Sequence, residues 1–316
     1  MDRRLILRFN LMCRAIITAI TVTGIVFAAA SSTRLSAQSR KAPPSSTQVT
    51  QPSPSPSPST PSTLPPQQKQ SALASDTKPT IDPKAEQILR RAVEALGGNN
   101  YVNVRSSIGR GLFTSFKDGV SGLPSSFTDY IVYPDRERTE FRSSEGRVIQ
   151  TNTGAKGWLF DGATRSIKDM KPEQVEDFRF AMRTSVDTLL RNLWRKESGA
   201  TLSYIGRREA GLARRNEVVR LLYADGLTVE FEFGAKDGLP AKVIYARKDS
   251  EGTAAPEEDR FAQYISTNSI LAPFIIDHYR AGVQTSRINY QSLDFNAPIA
   301  EELFTKPASL KELKVK

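Results

Sequence analysis

The sequence predicts an α+β protein: a curved antiparallel β-sheet with a covering helical lid, preceded by a disordered linker. Three observations predict this class. Beyond Tyr101, apolar residues recur at every second position in many short segments. Asp-Gly and related turn sequences separate these segments, and such short links favour antiparallel neighbours. One long stretch, 172–196, interrupts the segments and repeats its apolar residues with a helical period instead.

The N-terminus has the pattern of an export segment, which we assign to residues 1–37. Residues 1–14 carry four arginines, whereas 15–33 carry no charge and are rich in Ile, Val and Ala. Small residues then offer cleavage after Ala30 or after Ala37, as in a signal peptide. An uncleaved signal anchor is the alternative, because an uncharged helix of this length spans a bilayer core.

Both alternatives place the rest of the chain outside the cytoplasm. It is expected in the periplasm, or anchored in the inner membrane through residues 15–33 and facing the periplasm. The one cysteine, Cys13, lies inside the export segment, so the folded part has no thiol chemistry and no disulfide.

Residues 38–80 form a linker rich in Pro, Ser, Thr and Gln, with Pro and Ser alternating from Pro52 to Pro58. Such a segment has too little apolar surface to offset the entropy of ordering the chain. It is predicted to be a disordered, extended spacer. One β-rich globular domain, 81–316, follows it.

The first helix of this domain is predicted to start at Asp82-Pro83. Asp82 can accept hydrogen bonds from the free N–H groups of the first turn, and proline suits the first helical position. Apolar residues follow at spacings of three and four as far as Leu96, and Gly97-Gly98 end the helix.

The period of two predicts strands through the rest of the domain. In the last strand the apolar residues change parity, which predicts a bulge near Gln291-Ser292. The predicted strands lie at 104–116, 126–133, 138–143, 146–153, 156–160, 201–209, 216–223, 228–233, 242–245, 260–267, 273–280 and 284–295.

The helical stretch 172–196 begins at Pro172, with acidic residues in its first turn and basic residues in its last turn, as the helix dipole favours. It is amphipathic and is expected to break near Thr184-Ser185. Together, a curved sheet with aromatic residues on one face and such a helix can enclose a cavity, although the helix can equally fill a dry core.

The residues give little sign of catalysis. The net charge of +10 is mild for 316 residues and excludes a polybasic nucleic-acid-binding protein. The one histidine, His278, lies on a predicted strand, where the adjacent Asp277 points to the other face and cannot orient it. No phosphate-binding loop, nucleophile elbow or metal-ligand spacing is present.

We therefore predict no catalytic residue, no metal and no cofactor. The acidic run Glu257-Glu258-Asp259 is interpreted as a solvated loop tip, within an insertion at 251–260. A hydrolase with dispersed carboxylates is the enzymatic alternative, since such carboxylates need no local spacing.

Several short pieces resemble the LolA/LolB-like superfamily of periplasmic lipoprotein carriers, which also includes RseB-type regulators. The resemblance covers roughly 82–306. The matching pieces are Glu94-Ala95-Leu96-Gly97-Gly98, the strand with Gly109 and Gly111, Gly157-Trp158-Leu159-Phe160-Asp161-Gly162, Gly238-Leu239-Pro240-Ala241-Lys242, and Phe295-Asn296-Ala297-Pro298-Ile299 with Leu303-Phe304.

The resemblance implies an open half-barrel whose apolar cavity takes acyl chains, with 172–196 as its lid. It predicts a periplasmic carrier of lipid or lipoprotein acyl chains. The alternative is a membrane-tethered envelope sensor or scaffold that binds a protein partner. The predicted cavity and lid residues are Phe113, Phe141, Trp158, Phe160, Phe178, Met182, Leu189, Leu193, Phe231, Phe233, Tyr245 and Phe274.

Overall fold

A computed structural model of the protein describes residues 78–144, 146–248 and 252–313. The predicted export segment and all but the last residues of the predicted linker lie outside the described residues. The predicted globular domain is therefore the part of the chain that can be compared with the structure.

The described residues form one open, almost entirely antiparallel sheet. Its strands are β1 (Thr80–Ile81), β2 (Ser106–Lys117), β3 (Val120–Ser121), β4 (Ser125–Val132), β5 (Arg136–Ser143), β6 (Gly146–Thr153), β7 (Gly157–Asp161), β8 (Ser166–Asp169), β9 (Thr201–Glu209), β10 (Arg215–Leu222), β11 (Thr228–Gly234), β12 (Pro240–Lys248), β13 (Ala254–Thr267), β14 (Ile270–Arg280) and β15 (Val283–Phe295). The strand order is β1-β9-β10-β11-β12-β13-β14-β15-β2-β4-β5-β6-β7-β8, and β3 pairs with β2 beside this path. Among these strands, only β1 and β9 pair in parallel.

Four α-helices accompany the sheet in the described part of the chain. They are α1 (Pro83–Leu96), α2 (Asn99–Val102), α3 (Pro172–Thr184) and α4 (Val186–Leu190), with 3-10 turns at Leu193–Lys196, Glu301–Leu303 and Leu310–Glu312. The predicted fold class, an open antiparallel sheet with few covering helices, is confirmed.

Helix α1 starts as predicted. Asp82 Oδ1 accepts a hydrogen bond from the Lys84 N–H at 2.7 Å, and its Oδ2 accepts one from the Tyr204 N–H at 3.1 Å. The same carboxylate thus caps the helix and fixes its first turn to β9. The apolar stripe of α1, which includes Ile88, Leu89 and Leu96, is buried against the sheet.

The predicted break in 172–196 is also found. Ser185 has extended backbone angles, φ −75° and ψ 147°, and separates α3 from α4. Its hydroxyl oxygen accepts a hydrogen bond from the Thr188 N–H at 3.1 Å and so caps α4. The two helices can therefore lie at different angles on the sheet.

The interpretation of Glu257-Glu258-Asp259 as a solvated loop tip is wrong. The predicted insertion at 251–260 is also wrong for the part of it that the structure describes. These residues lie within β13, which pairs with both β12 and β14. The Glu257 side chain is only 1% exposed. Two of the three acids have partly buried partners, because Arg280 pairs with Glu257 and His278 pairs with Asp259.

The two faces of the sheet are covered differently. The inner face, which we define as the face against the helices, carries Phe231 and the other aromatic residues of the main core. The outer face carries Tyr130 and Trp158, which are covered by residues 297–313. Trp158 Nε1 donates to the Phe304 carbonyl at 3.1 Å, which fixes this C-terminal segment to the sheet.

Two glycines of β2 allow β15 to approach. The register between these strands shifts at Tyr290/Ser292, which confirms the predicted bulge. A Cβ on Gly109 would lie 2.6 Å from the Tyr290 ring, and one on Gly111 would lie 2.2 Å from the Asn289 carbonyl oxygen. Both positions therefore have no room for a side chain.

Replacing Gly111 with alanine is expected to lower the free energy of unfolding by about 2 kcal/mol, the usual cost of overpacking, because the β15 backbone must move. Urea denaturation followed by circular dichroism measures the change. Arg110→Ala, on the same strand with a half-exposed side chain paired to Asp294, should change stability by less than about 0.5 kcal/mol. Equal stability of the Gly111→Ala variant and the natural protein would contradict the proposed close approach.

Candidate ligand-binding site

A cavity of about 340 Å³ lies between the inner face of the sheet and helices α3 and α4. This volume is in the range of small-molecule binding sites. The strands around it are β4 and β5 on one side and β12 to β15 on the other. Its wall therefore combines residues that are far apart in the chain.

Most of the cavity wall is apolar. Helix α3 contributes residues from one side, and the strands contribute aromatic and branched residues from the other. The main apolar wall residues are Phe178, Ala181, Met182, Tyr245, Phe261, Ile276 and Ile288.

Three of the predicted cavity residues line this space: Phe178, Met182 and Tyr245. Phe178 is almost fully buried, whereas Met182 is partly exposed. Tyr245 also contacts α3, because its ring meets the Phe180 ring edge to face at 5.6 Å between centroids. The helix predicted as a lid does cover the cavity.

Six other predicted residues lie on the inner side of the protein but fill its core. Phe113 and Phe141 pack edge to face at 5.8 Å in a cluster with Phe127. Phe274 packs near Tyr290, with 6.5 Å between ring centroids. Leu189, Phe231 and Phe233 belong to the core that packs against α1.

Three further predicted residues lie elsewhere. Trp158 and Phe160 do not line the cavity but lie on the outer face, in a cluster with Ile149. Both side chains point to the same face of β7. The cross-strand register aligns that face with Glu140, on the outer face of the sheet, and not with Phe141, on the inner face. Leu193 is half-buried in the 3-10 turn after α4.

A polar cluster at Asp187 holds α4 in place. Its carboxylate accepts hydrogen bonds from the hydroxyls of Tyr101 and Tyr133, at 2.7 and 3.1 Å, and pairs with Arg191 Nε at 2.9 Å. The Arg191 guanidinium also lies over both tyrosine rings and donates to the Val104 carbonyl. Burial, followed by the negative charge of Asp187, raises the pKa of both tyrosines.

Two buried acids meet at the β4–β5 side of the cavity. The Thr139 hydroxyl lies 2.8 Å from Asp129 Oδ1 and 3.3 Å from Glu137 Oε1. A hydroxyl has one proton to donate, so it can satisfy only one ionised carboxylate. Burial raises the pKa of Asp129 to about 7, and burial with the nearby charge of Asp129 raises that of Glu137. The pair therefore holds a proton at neutral pH.

Another polar group faces the cavity from β13 and β14. His278 Nδ1 lies 2.5 Å from Asp259 Oδ1, on the adjacent strand. Burial lowers the pKa of His278, but the carboxylate of Asp259 more than reverses this, so the pKa is raised. Beside them, burial raises the pKa of Glu257 to about 7 despite its pairing with Arg280.

The sequence carried a signal for these acids. Asp129 lies between Phe127 and Ile131 at a spacing of two, so all three side chains share the inner face. An acid at such a position is expected to be buried, and Asp129 is 4% exposed. The partner of His278 is not a neighbour in sequence, and only the β13–β14 register identifies it as Asp259.

The described residues contain no group of three or more His, Cys, Asp and Glu side chains arranged to hold a metal ion. A search of the same residues finds no helix that is both long enough and apolar enough to span a bilayer.

Comparisons with solved structures show what the fold resembles. A DUF1329 family protein from Desulfovibrio piger matches 70% of this chain and 97% of its own, with a TM-score of 0.50 and 10% identity. The chains share one fold. The identity is too low to carry function across.

Two further structures cover the same shares of the two chains, each at 13% identity. One is a LolA superfamily protein from Nitrosomonas europaea, with a TM-score of 0.49. The other is a domain from Vibrio parahaemolyticus named as a candidate outer membrane lipoprotein-sorting protein, with a TM-score of 0.48. One of these structures is named for the superfamily that the sequence resembles. No protein-family model and no curated protein matches the sequence.

Replacing Asp187 with alanine is expected to lower the free energy of unfolding by about 3 kcal/mol, because Arg191 would lose its carboxylate and two tyrosine hydroxyls would lose their acceptor. Urea denaturation measures the loss. Asp187→Asn keeps one acceptor oxygen and should lose less. If the alanine and asparagine variants were equally stable, the hydrogen bonds would not hold α4.

Replacing Asp129 with asparagine is expected to change how stability depends on pH. Since the pKa of Asp129 is raised in the folded protein, the folded state keeps a proton that the unfolded state has lost between pH 4 and 7. The contribution of Asp129 to the free energy of unfolding is therefore fully present at low pH. It is lost as the pH rises, by up to about 1.4 kcal/mol per pH unit.

The Asp129→Asn variant should match the natural protein near pH 4 and be more stable near pH 8. Thermal or urea denaturation across this range measures the difference. Asp135→Asn, outside the cavity wall, is the control. A variant that is no more stable than the natural protein at pH 8 would show that folding does not raise the pKa of Asp129.

Proposed function

We propose that this protein binds acyl chains of lipids or lipoproteins in the cavity beneath α3, as a non-enzymatic carrier outside the cytoplasmic membrane. The observation that carries the proposal is the apolar wall shared by α3 and the sheet. Phe178, Ala181 and Met182 face Ile276 and Ile288 across a space of about 340 Å³.

Helix α3 is held by several contacts besides its wall residues. Asp177 pairs with Arg247 of β12, and Phe180 contacts Tyr245. Arg179 donates to the Gly154 carbonyl, and Arg183 pairs with Glu197 and Asp225. Ser185 separates α3 from α4, which is held through Asp187. Opening the cavity by movement at Ser185 would break these contacts of α3 and leave α4 in place.

Chain burial supplies enough free energy for useful affinity. A twelve-carbon chain gains about 10 kcal/mol gross at roughly 0.8 kcal/mol per methylene. Association and ordering cost a large part of this. The remainder supports binding without any polar contact.

Export is part of the proposal, because residues 1–37 carry the pattern of a signal peptide or anchor. A cleaved chain would carry its ligand through the periplasm. An uncleaved chain would hold the domain within reach of the membrane, at the end of the proline-rich segment 38–80.

The test is ligand uptake by the full chain expressed with its own N-terminus in a bacterial host. Native mass spectrometry is expected to show co-purifying lipid, and the purified protein is expected to bind the apolar fluorophore N-phenyl-1-naphthylamine. N-terminal sequencing of the same sample distinguishes a cleaved chain from an anchored one.

Ala181→Trp should fill the cavity and weaken fluorophore binding by at least about tenfold, or 1.4 kcal/mol. Ala163→Trp adds the same bulk at an exposed turn and should leave binding unchanged. Met182→Asp should also weaken binding, by placing a charge in the apolar wall. A protein that carries no lipid and takes up no fluorophore would refute the carrier function and favour the protein-binding scaffold.

A further inference from the structure

Two buried polar atoms beside the cavity have no hydrogen-bond partner among the described residues: Glu257 Oε2 and His278 Nε2. Both residues line the cavity. Glu257 is 1% exposed. Buried polar atoms are nearly always satisfied, and one left without a partner is destabilising.

The neighbouring contacts fix what these atoms can do. The Asp259 carboxylate can only accept a hydrogen bond, so His278 Nδ1 carries the proton between them. In the neutral ring, Nε2 is then an acceptor. Because Asp259 raises the pKa of His278, binding of a cation at this position also requires the ring to release its second proton. Glu257 Oε1 accepts from Arg280, which leaves Oε2 as a second acceptor. Two acceptors on adjacent strands thus face one space.

The charges around the cavity have one dominant sign. Among the described residues of its wall, five are Asp or Glu and two are Arg. Both arginines are paired, Arg191 with Asp187 and Arg136 with Glu301. Arg247 and Arg280 lie near Glu257 but are not part of the wall, and they pair with Asp177 and Glu257. Arg247 Nη1 is a further buried atom without a partner among the described residues.

We propose that the ligand of this cavity carries a protonated primary amine at its polar end, which donates hydrogen bonds to Glu257 Oε2 and His278 Nε2. The inference rests on the proposed acyl-chain binding and specifies its substrate class as ammonium-bearing amphiphiles. Asp129 and Glu137, on the opposite side of the cavity, retain a proton between them, and their remaining negative charge adds to the potential that attracts the cation.

An ammonium group fits better than the other common head groups. It has three donors and no acceptor, so one group can satisfy both unpartnered atoms. A hydroxyl has a single donor and can satisfy only one of them. A carboxylate or phosphate has no proton to donate at neutral pH and would be repelled by the acids of the wall.

The experiment compares three probes with the same chain: dodecylamine, 1-dodecanol and dodecanoic acid. Each displaces N-phenyl-1-naphthylamine from the full-length protein at pH 7.5, where an alkyl amine with a pKa of about 10 is protonated. Dodecylamine is expected to bind at least about tenfold more tightly than dodecanol, since a charge-assisted hydrogen bond is roughly twice as strong as one between neutral groups. Dodecanoic acid is expected to bind most weakly.

Glu257→Gln should reduce the amine-to-alcohol ratio to about one. Thermal denaturation followed by circular dichroism reports whether the variant is folded. Glu140→Gln is the matched control: Glu140 is equally buried and paired with Arg138 and Arg147, but it lies on the outer face. That variant should keep the preference for the amine.

The outcomes separate this inference from the proposed function. If no probe binds, acyl-chain binding itself is refuted. If dodecanol and dodecylamine bind equally, or if dodecanoic acid binds best, chains are bound but the ammonium site is refuted. The site is also refuted if Glu257→Gln and Glu140→Gln lower the amine preference equally, because the effect would then be one of overall charge.

Discussion

The pairing of β15 with β2 is the contact on which the rest of the structure depends. Strands β9 to β15 follow one another in both sequence and space, and so do β4 to β8. Each series could form from local hairpins, but only the β15–β2 ladder joins the two. It brings together residues such as Ile288 and Phe113, which are far apart in the chain, at a considerable cost in loop entropy. Because the cavity wall draws on both series, the cavity exists only once this ladder has formed.

The interior combines an apolar wall with several acids, of which Asp187 holds α4 in place. A carboxyl buried without a cation is costly, and Asp129 with Glu137 avoids most of that cost by retaining a proton. Sites that depart from the rules of core packing are often functional sites. Two buried atoms without a partner, Glu257 Oε2 and His278 Nε2, lie at this space, whereas Arg147 Nε on the outer face and Trp194 Nε1 in the core lie elsewhere.

The sequence predicted the elements well because each has a local cause. Alternation along β5 or β11 and the caps at Asp82 and Gly97 depend only on neighbouring residues. The face of the sheet on which a side chain lies was harder to predict, because alternation does not show which of the two sets of side chains points to the helices. Trp158 was thus assigned to the cavity but packs beneath Phe304. The pairing of Asp259 with a histidine in the next strand could not be predicted, because it depends on the register between the two strands. The prediction that the sheet is open came from the resemblance to the LolA superfamily, because no local pattern indicates it.

The C-terminal segment gives the sheet a second hydrophobic side. Leu303 and Phe304 cover Ile108 and Tyr130, and the Arg138 guanidinium donates to the Leu303 carbonyl at 2.7 Å. A sheet exposed on this face would present a continuous aromatic and aliphatic surface to other molecules. Residues 297–313 follow every strand of the sheet in sequence, so this face is covered only after the whole sheet has been made. A copy shortened before residue 297 would leave Ile108 and Tyr130 uncovered.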